Sequence, residues 1–149
     1  MIFPFDIKLE QVTNSDIGLK SEQKVFDIIE NYIKSKSVTD FYRTGNQINF
    51  KQSFFVLNTN VFAIIDKGEF IVKFNNNKVN LIYKFYLIRF FIVSSLLAIG
   101  FGFVVGQLVF GLITFLLFVI GNFIICYNRQ KSALNEIISE VNSLATPAT

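Results

Sequence analysis

Two pairs of carboxylates have the spacing that acid–base chemistry uses. Asp66 and Glu69 flank the "DKGE" stretch, and Glu136 and Glu140 lie one helical turn apart. A glycosidase sets two such groups across a substrate cleft. Each pair also has a plainer account. The first sits in a stretch with hairpin composition, and the second falls on the polar side of an amphipathic pattern. The chain has no histidine, which removes Ser-His-Asp and Cys-His mechanisms and the usual zinc sites. Cys126 is the only cysteine, so no disulfide forms within the chain, and it reads as a small apolar residue at a helix end. No Gly-rich loop precedes a helix with Lys and Ser/Thr. "GFGFVVG" lies in an apolar run with no strand before it and is no dinucleotide fingerprint. These residues point to no enzyme and to no cofactor or metal.

The remaining polar candidates are Ser94, Ser95, Thr114 and Asn122, all within that apolar run. Lining a path through a membrane would need several copies of the chain. Interhelical hydrogen bonding is the simpler role. Asn122 is singled out, because a buried amide needs a partner, expected on a facing helix or another protomer.

The element that must position these residues is the run itself. It carries no charge from Phe90 to Asn128, about 58 Å if helical at roughly 1.5 Å per residue. A bilayer core of about 30 Å takes roughly 20 residues. The length predicts a transmembrane helical hairpin over 83–128, with arms of about 86–102 and 107–127 and a turn near 102–107. Four of the eight glycines fall within residues 99–111. Gly100, Gly102 and Gly106 suit a reversal, with Gln107 as its polar tip. Lys73, Lys78, Lys84 and Arg89 precede the run, and Arg129 and Lys131 follow it. The positive-inside rule then puts both termini in the cytoplasm of an inner or plasma membrane. Arg89, Tyr86 and Tyr127 are the expected interfacial anchors. The first ten residues have neither a basic start nor a sustained apolar core, so the hairpin is expected to serve as both targeting signal and anchor.

Outside the run, residues 1–82 read as a small cytoplasmic α+β domain. Residues 1–20 look irregular. Val25, Phe26, Ile29, Tyr32 and Ile33 recur at helical spacing and predict a helix over 22–35. From Thr39 the period is two. Ile48 and Phe50 alternate with polar residues, and "FFVL", "VFAII", "FIVKF" and "KVNLIY" follow, separated by "NTN", "DKGE" and "NNN". This predicts an antiparallel meander over about 39–82, with the helix on one face. Over 129–145 an amphipathic helix is expected, continuing from the membrane or starting just outside it. Its stripe of Leu134, Ile137, Ile138 and Val141 must pack against protein, its own domain or a partner. Residues 146–149 read as a disordered tail.

The net charge of +3 is too diffuse for a nucleic-acid surface. The fold class expected is thus an α+β membrane protein, partnered by the lipid bilayer and by another protein or its own copies. The leading function is a membrane-anchored, non-enzymatic interaction module, a subunit of a complex or a homo-oligomer. Behind it stand an inhibitor or a lipid or small-ligand sensor acting directly on its target, and an oligomeric channel or transporter subunit.

Overall fold

The computed structural model describes residues 6–13, 22–51, 61–62, 65–75, 78–106 and 108–144. Among the described residues the fold has a five-stranded antiparallel sheet and three helices. The order is β1 (Asp6–Val12), α1 (Glu22–Ser35), β2 (Asp40–Thr44), β3 (Gln47–Lys51), β4 (Lys67–Asn75), β5 (Lys78–Tyr86), α2 (Ile88–Val105) and α3 (Leu108–Ser143). In the sheet the strands lie in the order β1-β5-β4-β3-β2. The meander β2 to β5 is joined at its far edge by β1, which returns beside β5 with Asp6 opposite Tyr86 and Val12 opposite Asn80.

Period-two alternation sends one face of every strand inward. Leu9, Ile48, Phe50, Phe70, Val72, Val79, Leu81, Tyr83 and Phe85 are all buried. Their rings form a continuous aromatic layer, tightest between Phe70 and Tyr83, which stack at 4.3 Å. Gly68 lies directly opposite Phe50 in the register. A Cβ there would meet the Phe50 ring at 2.1 Å, so the missing side chain is the space the ring fills. The sequence reading of "DKGE" as a turn is corrected accordingly. Lys67, Gly68 and Glu69 are strand residues paired on both sides.

Helix α1 buries Val25, Phe26, Ile28, Ile29, Tyr32 and Ile33 against this layer. Its C-terminus closes as a Schellman motif, with Ser37 N–H donating to the Lys34 carbonyl and Val38 N–H to that of Ile33. Ser37 takes the left-handed position, at φ 60°.

Other expectations are corrected at the ends of the domain. Residues 6–12, read as irregular, form β1, because their alternation is masked by charges on the outward face. Within "VFAII", residues 61 and 62 lie in a turn rather than a strand. "FFVL" and "NTN" lie outside the described residues, as do Gln107 and the tail 146–149.

The two-span transmembrane hairpin is overturned. Among the described residues one helix, Val109–Ser143, is long and apolar enough to cross a membrane. Helix α2 has 18 residues, about 27 Å at roughly 1.5 Å per residue, short of a bilayer core of about 30 Å. The physical reason lies at the two ends of α2: β5 stays paired through Tyr86, so the helix starts only at Ile88, and the reversal at Gly106 stops it after 18 residues. The turn is corrected too. Only Gly106 sits at the reversal, at φ 67°, with its N–H on the Phe103 carbonyl. Gly100 and Gly102 are interior to α2. Gly102 is a packing residue: a Cβ there would lie 3.7 Å from the Gly111 Cα of α3. Over 129–143 the amphipathic stretch continues directly from the apolar run. α3 runs unbroken for 36 residues, its first half packed against α2 and its last half against α1 and β1.

Candidate functional site: the junction of the folded head and the apolar helices

The chemistry-bearing residues collect where the sheet hands over to the helices. Asp66 sits just before β4, and its backbone N–H bonds the Tyr86 carbonyl at 2.9 Å. That bond holds its carboxylate over the start of α2. The carboxylate accepts the Arg89 backbone N–H at 3.0 Å and pairs with Arg89 Nε at 2.8 Å. An acid at a helix N-terminus satisfies an otherwise orphan N–H and meets the positive end of the helix dipole. Arg89, expected as a headgroup anchor, is thus the partner that clasps α2 to the sheet.

A second link joins α3 to the core. Gln130 is fully buried. It accepts the Tyr83 hydroxyl at 2.8 Å and donates to the Val61 carbonyl at 2.6 Å. Both ends of the amide are satisfied, which a buried polar group requires. Burial pushes the Tyr83 phenol well above its usual pKa. A third link runs to α1. The Tyr32 hydroxyl donates to Glu136 at 2.8 Å, and burial and then that carboxylate raise the phenol's pKa. Lys36 stands 3.9 Å from the same carboxylate.

The structure gives three of the four carboxylates that suggested catalysis a place in the fold. Asp66 is a helix cap and ion-pair partner, and Glu136 holds Tyr32. Glu69 is a strand residue on the outer face, directly opposite Lys84. Among the described residues no cluster of His, Cys, Asp and Glu is built to hold a metal ion.

The other expected residues fall into place separately. Leu134, Ile137 and Val141 are buried in the chain's own core, and Ile138 lies at its edge, 9% exposed. Tyr86 ends β5, with the Lys67 ammonium 5.7 Å from its ring. Tyr127 is half-buried on α3 and stacks on Phe123. Asn122 donates to the carbonyl of Phe118 at 2.8 Å, one turn back in its own helix. Ser95 and Thr114 do the same to Phe91 and Phe110. Such back-bonding satisfies each group locally.

Sequence reasoning missed the roles of Gln130 and Tyr83, and it singled out Asp66 without its pairing to Arg89. For Gln130 the signal was present: Cys126, Gln130, Leu134, Ile137 and Val141 lie on one helical stripe, which carries the buried face back across Asn128. No local pattern marks that pairing, because the partner lies on another element.

Beyond the junction the surface changes character. Ile92, Leu96, Phe103, Val104, Val109, Leu112 and Leu117 are exposed on α2 and α3, Val104 by 86%. Only 11% of the most apolar window of α3 is buried. Soluble monomers rarely expose contiguous apolar patches above a few hundred Å². The class defined is an α+β head joined by one continuous helix to an apolar rod. No family model matches the chain, and no curated protein or solved structure matches it.

Proposed function

We propose that the protein is a membrane-anchored, non-catalytic interaction module. The observation that carries this reading is α3: one helix with an exposed apolar first half and a last half buried in the folded head. The apolar half of α3 is held in lipid, and the head stands at the membrane surface. Arg129 and Lys131 follow the apolar half directly, so the head, with β1 and the C-terminal end of α3, lies on the cytoplasmic face of an inner or plasma membrane. The head serves as a docking body for another protein or for copies of the chain.

Fractionation tests the anchor. Alkaline carbonate should leave the full chain in the membrane pellet, and a reporter fused after residue 144 should read as cytoplasmic. Release into the supernatant sinks the anchor, and a non-cytoplasmic reporter reverses the orientation. In mild detergent the particle mass should exceed that of the monomer plus micelle. A monomer that carries no other protein removes the module reading.

A further inference from the structure

The edge of the sheet at β1 has hydrogen-bonding groups to spare. Thr13 N–H bonds the Val79 carbonyl, and bonded pairs alternate along an antiparallel ladder. Gln11, Leu9 and Ile7 therefore bond β5, while the N–H and C=O groups of Lys8, Glu10 and Val12 point away from the sheet. Most native edges are shortened, bulged or covered, yet β1 is seven residues long and Val12 is 51% exposed at its end.

Two grooves flank Val12. On the helix side, one of about 380 Å³ is lined by Gln11, Val12, Asn135, Ile138, Ser139 and Asn142. Gln11 donates to Asn135, but its buried Oε1 has no partner. On the outer face, one of about 280 Å³ is lined by Val12, Lys73, Asn75, Lys78 and Asn80. Asn80 donates to Glu10, and its buried Oδ1 also has no partner. Among the described residues neither Lys73 nor Lys78 forms an ion pair. A strand laid along β1 sends alternate side chains to alternate faces. One set enters an amide groove with a waiting acceptor, and the other a basic groove with a second.

We infer that the β1 edge beside Val12 binds an extended segment of another protein, with uncharged polar side chains towards α3 alternating with acidic ones towards Lys73 and Lys78. Main-chain bonds supply affinity and the two grooves supply selectivity. A second copy does not fit the edge. Gln130 is bonded level with Leu9, through Tyr83, and Asn135 is bonded at Gln11, so α3 runs along β1. Antiparallel pairing of two copies would aim their apolar helices in opposite directions. Two-fold parallel pairing would set the outward groups level, where a parallel ladder needs them offset by one residue.

The inference deepens the module reading, and its test does not depend on the anchor. Full-length protein in dodecyl maltoside is mixed with three heptapeptide libraries. Positions 2, 4 and 6 are fixed as Glu, Lys or Ser, and the rest are randomised. The Glu library should bind about tenfold tighter than the Lys library. It should slow amide exchange at Lys8, Glu10 and Val12 about fivefold or more. Val12→Pro removes an outward N–H without breaking the ladder and should abolish binding with the melting temperature unchanged. Lys73→Glu with Lys78→Glu should reverse the preference towards the Lys library, whatever the proline variant does. Equal binding of the three libraries, no binding by any, protection elsewhere, or an unreversed preference each overturns it. A chain that pellets after carbonate yet binds no library loses this inference and keeps its anchor.

Discussion

Tyr83 is the residue on which the head turns. It stacks on Phe70, touches Phe85 and Phe62, and donates its only proton to Gln130. Removing the hydroxyl leaves the Gln130 oxygen buried without a donor, a penalty of about 1–3 kcal/mol. Tyr83→Phe should therefore lower stability by that amount at pH 7, read by urea denaturation in detergent. The same bond sets an alkaline limit. Burial raises the folded-state pKa of Tyr83, so the folded chain keeps this proton at pH values where the unfolded chain, with a phenol near 10, has lost it. The stabilisation is complete below pH 10 and declines as pH rises above it, by about 1.4 kcal/mol per unit for each such group. Tyr32, raised by burial and by Glu136, acts in the same direction. Tyr83→Phe should make the alkaline decline shallower. An unchanged decline would mean that this phenol titrates as freely as in the unfolded chain.

At the scale of the element, two positions carry conformations their side chains resist or forbid. Ser37 is a non-glycine residue in the left-handed position of the α1 cap. That conformation costs an L-residue roughly 1–2 kcal/mol, part of which glycine loses again as chain entropy. Ser37→Gly should raise stability by about 0.5–1 kcal/mol and leave the fold unchanged. Gly68 is the reverse case. Gly68→Ala places a methyl inside the Phe50 ring and should cost about 1–3 kcal/mol through overpacking. Both changes are measurable as shifts in the denaturation midpoint. Gly68 also shows where sequence reading stops. "DKGE" has turn composition, and only the pairing of β4 with β3 and β5 reveals the glycine as the seat of a ring. Local pattern alone gave α1, β3, β5 and the apolar run, because each repeats its own period over several residues. β1 was missed because its inward residues are only Ile7, Leu9 and Gln11, set among three charges, Asp6, Lys8 and Glu10. The junction was missed because Asp66–Arg89 and Tyr83–Gln130 are long-range pairs, each settled by the fold. The division of the apolar run failed for a related reason. Its length is compatible with two equal arms, but the start of α2 is fixed by how far β5 stays paired.

For the whole molecule, the decisive feature is that α3 is continuous. Its first half meets α2 through Gly111 at Gly102, and its last half meets the head through Cys126, Gln130, Leu134, Ile137 and Val141. A helix advances 100° per residue, so these two faces are locked in phase. One alanine inserted after Asn128 keeps the helix but rotates everything beyond it by about 100°. Gln130 then leaves Tyr83, and the apolar stripe swings off the sheet. Full burial of each Leu, Ile or Val is worth roughly 1.5–3 kcal/mol, and domains are stable by only about 5–15 kcal/mol. The insertion should therefore unfold the head or strip α2 from α3. The same alanine inserted after Gly106 lies in the reversal between helices, where extra residues are tolerated, and should change the stability of the head little. Protease protection and near-ultraviolet circular dichroism in detergent distinguish the two insertions. If both are tolerated alike, the halves of α3 act as jointed helices, and motion at one end of the molecule is not transmitted to the other. If only the insertion after Asn128 is damaging, α3 is a single lever, and a partner bound to the head acts on the apolar helices through the rotation and tilt of that one element.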